Sequence, residues 1–171
     1  MTPFDIELGR AEWSSFMPAL MAVLEHTTGD VLEIGVGHYS TPALHDYCAG
    51  QKRTLVSAEE DEEWGTPFAH RFLSLDHLFN LGKYDDMIPL LVQMGPWSVV
   101  FLDHSPGPRR AADMMRFLDC AEFIVVHDYH LAIEEAFLPL VAGLACHVIQ
   151  SKPPTAVFSK HRLIPSSVLA L

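Results

Sequence analysis

A chain of 171 residues is long enough for one domain with a normal buried core, and 49% hydrophobic against 19% charged residues excludes a disordered protein. The formal net charge of −11 argues against nucleic-acid partners, which need Lys and Arg to neutralise phosphates. Cys48, Cys120 and Cys146 have neither disulfide-framework nor metal-site spacing, which fits a reducing cytoplasm; Thr2 to Glu7 lacks the basic and apolar regions expected of a signal peptide, and no apolar run approaches membrane-spanning length.

Residues 1–10 read as a short arm. From Ser14 to about His26, Phe16, Ala19, Leu20, Val23 and Leu24 recur at helical spacing, with Ser14 or Ser15 as N-cap. After Thr27-Thr-Gly-Asp30 comes a first strand from Val31, then a helix over about Thr41 to Tyr47. Arg53 to Ala58 reads as a second strand, and Glu62 to about Phe72 as a shorter helix interrupted by Gly65 and Pro67. His77 to Leu81 is a weak third strand, and Asp86 to Met94 a helix that tolerates Pro89 in its first turn. A strong fourth strand (Trp97 to Leu102), a helix (Arg109 to about Leu118), a fifth strand (Glu122 to Val126) and a last helix (Ile133 to Leu144) follow. Cys146 to Gln150 and Thr155 to Ser159 form an antiparallel pair across Lys152-Pro-Pro154. Strands alternating with helices predict a mainly parallel sheet covered on both faces, with a crevice at the carboxyl ends of the first and fourth strands.

The chain is organised around Val31-Leu-Glu-Ile-Gly-Val-Gly37, with Ser40, Thr41 and Pro42 opening a helix. A strand that turns on glycines into a helix N-terminus offers free N–H groups and a positive dipole end, suited to a phosphate or a carboxylate. Glu33 is unusual there. A carboxylate would repel the pyrophosphate of a dinucleotide but suits an aminoacyl cation such as the sulfonium amino acid of S-adenosylmethionine. Glu59 closes the second strand, where an acid can accept both ribose hydroxyls of a nucleoside; otherwise it begins a solvated run with Glu60, Asp61, Glu62 and Glu63.

The first motif, followed by Tyr39-Ser40, resembles that of class I S-adenosylmethionine-dependent methyltransferases, in particular the catechol-O-methyltransferase-like small-molecule O-methyltransferases. The resemblance spans about residues 28–160 of a single domain whose residues 1–27 are arm and first helix. It implies an α/β, doubly wound Rossmann-like sheet of seven strands, mainly parallel with a C-terminal antiparallel hairpin, and S-adenosyl-L-methionine as cofactor. Glu33, Gly35, Gly37, Tyr39 and Ser40 would hold the methionine part and Glu59 the ribose. Tyr84, Asp85 and His104 would border the adenine end, although Asp85-Asp86 alone also reads as a helix N-cap.

Asp103-His104 and His127-Asp128 end two apolar strands, so neighbouring fourth and fifth strands would bring Asp103 and Asp128 to one rim. Facing carboxylates can bind a divalent cation, share a proton or orient a histidine as general base. In the family that Asp pair binds Mg²⁺. Here the third ligand, an Asn, is Tyr129, the catalytic Lys falls on Pro106, and the glycine before Tyr-Ser is His38, which leaves Mg²⁺ an open second cofactor. Histidines are the natural replacement for the lysine. His130 is free to face the site, whereas His127 points to the other side of its strand if the pleat continues. Catalysis is therefore expected from Asp103, Asp128 and His130. Arg109-Arg110 read as contacts to an acidic substrate or to surface acids, the second being favoured, and Trp13, Phe16 and Met17 as pocket cover or core. The expected partner is a small-molecule methyl acceptor, with neither nucleic acid nor membrane, and self-association stays open. The other readings are a non-catalytic binder of S-adenosylmethionine or S-adenosylhomocysteine and a nucleotide-cofactor oxidoreductase; Glu33 and the hairpin speak against the latter.

Overall fold

The computed structural model describes residues 14–129, 135–141 and 143–171. The described residues build a seven-stranded sheet in the order β3-β2-β1-β4-β5-β7-β6. Strands β1 (Val31–Ile34), β2 (Leu55–Glu59), β3 (His77–Leu81), β4 (Trp97–Leu102) and β5 (Ala121–Val126) run parallel. The hairpin of β6 (Ala145–Ile149) and β7 (Thr155–Ser159) joins antiparallel through β7 to β5. This is the doubly wound sheet with a terminal hairpin that the sequence suggests.

Helices α1 (Met17–Leu24), α2 (Ser40–Gln51), α3 (Glu62–Phe72), α4 (Tyr84–Met94), α5 (Arg109–Phe117) and α6 (Ser166–Leu169) flank the sheet. Strand alternation sends Leu32, Val56, Val100 and Ile124 into a core shared with α4 and α5. Val31, Leu55, Phe101 and Val125 enter the opposite core, shared with α1 and α2. By the same alternation Glu33, Asp103 and His127 fall on the α1/α2 side. No helix of the described residues is long and apolar enough to cross a membrane.

Several elements differ from the sequence expectation, each for a local reason. Helix α3 runs through Gly65 and Pro67 without interruption. A Cβ on Gly65 would stand 2.7 Å from Leu81 Cδ2, so glycine lets α3 lie close on the sheet. Helix α1 begins only at Met17; Ser15 does not cap it, because its hydroxyl donates to Pro153 O at 2.8 Å. Helix α4 starts at Tyr84, which puts Asp85 and Asp86 in its first turn, where they favour the dipole without capping. Helix α6 was not expected; its Val168 is buried against α1. Of the helix expected over Ile133 to Leu144, residues 135–137 are helical, 138–140 form a turn, and the start lies outside the described residues.

Candidate active site

Strands β1 and β4 are neighbours whose helices leave toward opposite faces, so a crevice opens at their carboxyl ends. Gly35 makes the turn there with φ +92°. A Cβ on it would come within 2.7 Å of Asp103 C and His104 N, so the ends of β1 and β4 touch backbone to backbone. The resulting cleft encloses about 520 Å³, within the roughly 300–1,000 Å³ usual for small-molecule sites. Gly37, Tyr39 and Ser40 line it at the N-terminus of α2, Trp64 and Phe16 wall it, and Asp103, His127 and Asp128 stand opposite.

Glu33 lies beneath this floor rather than in it. It is fully buried, Thr41 Oγ1 donates to its carboxyl at 3.0 Å, and Ser57 Oγ donates at 2.6 Å. Burial raises its carboxyl to about 7 against the hydroxyls of Ser40, Ser57 and Thr41, which pull it down. Thr41 in turn accepts from Gly37 N–H at 3.0 Å, so Glu33 braces the glycine turn from below. The expectation that it faces a ligand's ammonium is thereby corrected: the strand register sets it opposite Ser57, inside the α1/α2 core.

Glu59 is 9% exposed and accepts from Val36 N–H (3.1 Å), Asp61 N–H (2.9 Å) and Tyr84 Oη (3.4 Å). An ionised carboxylate has about four acceptor sites, so these donors leave it some capacity beside the cleft residue Val36. Trp64, a residue the sequence reading left unassigned, donates Nε1–H to Val36 O at 2.9 Å and meets the His38 ring edge-on at 4.9 Å. Burial lowers the His38 imidazole below its ordinary value.

The three residues expected at the adenine end do not line the cleft. Tyr84 is 1% exposed and packed in the core, its hydroxyl pushed well above the ordinary phenol range by burial and by Glu59. Asp85 points outward, bound by Arg109 at 2.7 Å. His104 is buried, with Nε2 2.9 Å from Asp113 Oδ2 and its ring against Tyr84 at 4.8 Å. Burial works against the Asp113 carboxylate, but His104 and Arg109 hold it below its ordinary value.

On the other side, the β4–β5 ladder pairs Leu102 with Val126, so the residue opposite Asp103 is His127, not Asp128. His127 therefore faces the cleft, which overturns the expectation that it turns away. Asp128 faces it too because the pleat does not continue: its φ of +55° swings the chain back, an uncommon conformation that Asp tolerates better than most residues. His127 Nδ1 sits 3.1 Å from Asp103 Oδ1, at ion-pair distance though not aligned as a hydrogen bond, and Nε2 lies 3.2 Å from Ser15 Oγ. Phe16 packs on the imidazole at 4.8 Å, so the start of α1 closes this end. His130 lies outside the described residues.

Arg110, read from sequence as a surface pairing, is the fourth member. It is 5% exposed; Nε donates to His104 O at 2.7 Å and Nη1 to His127 O at 2.6 Å. Its Nη2 is 3.2 Å from Asp103 Oδ1 and its Nη1 3.7 Å from Asp128 Oδ2. A signal was available: a cation in the first turn of a helix opposes the dipole and calls for a specific anionic partner.

Asp103, His127 and Asp128 each offer a ligand atom within 4.8 Å of the others, a donor set suited to a divalent cation. The surroundings do not fit one. Arg110 already contacts both carboxylates, and Tyr129, at the position of the expected third ligand, is 4% exposed with its ring packed between Phe137 and Phe158. S-adenosylmethionine fares better. The cleft is large enough, Trp64, Tyr39 and Phe16 supply apolar wall, and the α2 N-terminus faces it for a carboxylate.

No protein-family model and no curated protein matches the sequence. Solved structures do match. A candidate O-methyltransferase from Klebsiella pneumoniae superimposes with TM-score 0.66 at 14% identity, covering 91% of this chain and 81% of its own. The S-adenosylhomocysteine-bound methyltransferase PaMTH1 of Podospora anserina gives 0.67 at 11%, covering 85% and 77%. Human methyltransferase-like protein 13, also bound to S-adenosylhomocysteine, gives 0.60 at 16%, covering 94% and 85%. The fold is that of the class I S-adenosylmethionine-dependent methyltransferases.

Proposed function

We propose that the chain is an S-adenosylmethionine-dependent methyltransferase that methylates a hydroxyl group of a small molecule. The observation that carries this reading is one cleft shared by the glycine turn of β1 and the Asp103–His127–Asp128 group at the ends of β4 and β5. S-adenosylhomocysteine in two of the superimposable structures supports the choice of cofactor.

When bound, the cofactor would supply a methyl group activated on a sulfonium sulfur, to be taken by an acceptor oxygen in line as the sulfur leaves as a thioether. The chain's part is to bind, align and deprotonate. Gly37, Tyr39 and Ser40 would receive the amino-acid end at the dipole of α2, with Glu33 and Thr41 fixing the turn beneath, and Glu59, which accepts from the cleft residue Val36 without itself lining the cleft, would accept from the ribose. His127 takes the acceptor proton, and the Asp103 carboxylate 3.1 Å from its Nδ1 balances the charge that forms. Trp64 and Phe16 supply apolar wall on either side of the cleft.

The test is calorimetric titration with S-adenosylhomocysteine, followed by methyl transfer from labelled S-adenosylmethionine to phenols and hydroxy acids. Binding and transfer are expected, and His127→Gln lowers kcat by about 10²–10⁴-fold while S-adenosylhomocysteine affinity holds. Binding without transfer to any acceptor would favour a non-catalytic binding protein, and absence of binding at millimolar concentration sinks both readings.

A further inference from the structure

We infer that Arg110 is the built-in cation of this cleft, taking the position that the family resemblance would give to a divalent metal and making the site metal-independent. Three observations converge. The guanidinium contacts Asp103 and Asp128, two of the three groups that would have to ligate a metal. It cannot swing aside without cost, because Nε and Nη1 donate to the backbone carbonyls of His104 and His127, two residues past the end of β4 and one past the end of β5. It cannot be neutralised either, since an arginine side chain does not lose its proton in a protein. A divalent ion at the three ligands would therefore face a permanent positive charge 3.2 Å from a carboxylate oxygen of Asp103.

Charge counting agrees. Asp103, Asp128 and Arg110 sum to one negative charge, and a divalent ion would turn this into one net positive charge. The chemistry that remains is hydrogen-bond donation. Arg110 lines the cleft and directs a charged fork at the oxygens there. An acceptor oxygen that loses its proton to His127 develops negative charge next to that fork, which stabilises it. The matching substrate class is an acidic hydroxyl, a phenol or an enol. This last step rests on the methyltransferase reading; the cation assignment does not.

The experiment separates the two. Wild-type protein, Asp103→Asn and Arg110→Gln are titrated with Mn²⁺ and the free ion is read by electron paramagnetic resonance. The wild type is expected to show no Asp103-dependent binding up to about 1 mM, and Arg110→Gln to bind at least about tenfold tighter, with the gain lost on adding Asp103→Asn. Arg110→Lys keeps the charge but not the fork and is expected to stay silent toward Mn²⁺. Submillimolar Mn²⁺ binding by the wild type that disappears in Asp103→Asn overturns the inference, as does a folded Arg110→Gln that gains nothing. If Arg110→Gln does not fold by circular dichroism, the wild-type and Asp103→Asn titrations decide alone. Calorimetry with S-adenosylhomocysteine on the same samples reports separately on cofactor binding, and methyl transfer from labelled S-adenosylmethionine, expected to survive a chelator, reports on the proposed activity.

Discussion

Two histidine–carboxylate networks lie on the same side of the sheet, and they resolve the cost of burial in opposite ways. In the one under the glycine turn, His45 Nδ1 is 3.0 Å from His77 Nδ1, His77 Nε2 is 2.9 Å from Ser57 Oγ, and Ser57 donates to Glu33 at 2.6 Å. Because Ser57 donates to Glu33, His77 must donate through Nε2 and accept through Nδ1 from His45, so the chain has one polarity. It contains no cation. Burial drives the carboxyl up to about 7 and, with the neighbouring His45, drives the His77 ring down to about 4; both groups move toward their neutral forms. The network at the ends of β4 and β5 has similar side chains but opens on the cleft, and Arg110 supplies a counter-charge. Burial without a cation neutralises, whereas burial with one arranges charged groups where a ligand can reach them.

The largest expected effect comes from separating the two networks where they meet. Gly35→Ala places a methyl within 2.7 Å of backbone atoms of Asp103 and His104, at a φ of +92° that alanine resists. The loss is expected to be about 3 kcal/mol in urea denaturation at unchanged m-value. A loss below about 1 kcal/mol would show that the ends of β1 and β4 yield easily and that the two networks are not rigidly joined.

Next come the opposed pH signatures of the sealed network. Glu33 is held above its ordinary 4.5, so its contribution to stability is complete below that value and is lost as pH rises toward 7. His77 is held below its ordinary 6.5, so its contribution is complete above that value and is lost as pH falls toward 4. Measured against wild type, Glu33→Gln should gain stability as pH rises through the first window, and His77→Gln as pH falls through the second. Each slope is at most about 1.4 kcal/mol per pH unit. Parallel profiles for the two variants in urea titrations between these limits would falsify the picture of a neutral, cation-free network.

Most of the fold was legible because β1, β2, β4 and β5 are buried on nearly their whole length and their sequences are mostly apolar runs. Trp97–Leu102 was placed to the residue, as was Thr155–Ser159. The site was less legible, for a specific reason. Spacing alone pairs Asp103 with Asp128, but facing residues are set by ladder register, which pairs Asp103 with His127. The return of Asp128 to the cleft depends on a single left-handed residue, which no periodicity announces. Glu33 was singled out correctly as anomalous, yet its partners Ser57 and Thr41, and the His77 that contacts Ser57, come from three other elements and meet only in the folded sheet.

The smallest expected effect asks whether the helices at the two networks are tied to them or merely adjacent. On the open side, Ser15 in the turn before α1 donates to Pro153 O and lies 3.2 Å from His127 Nε2. On the sealed side, Asp61 caps α3 by accepting from Trp64 N–H at 3.0 Å, with no contact to either histidine network. Ser15→Ala and Asp61→Ala should each cost about 1 kcal/mol, the first through a lost tertiary hydrogen bond and the second through a lost cap. Their couplings to His127→Gln should differ. Ser15 shares a contact with the imidazole, so its double-mutant cycle should close with an interaction of at least about 0.5 kcal/mol, whereas Asp61 should be additive within about 0.3 kcal/mol. Equal couplings would mean that α1 lies over the cleft without holding its histidine, and His127 would then owe its orientation to Asp103 and Phe16 alone.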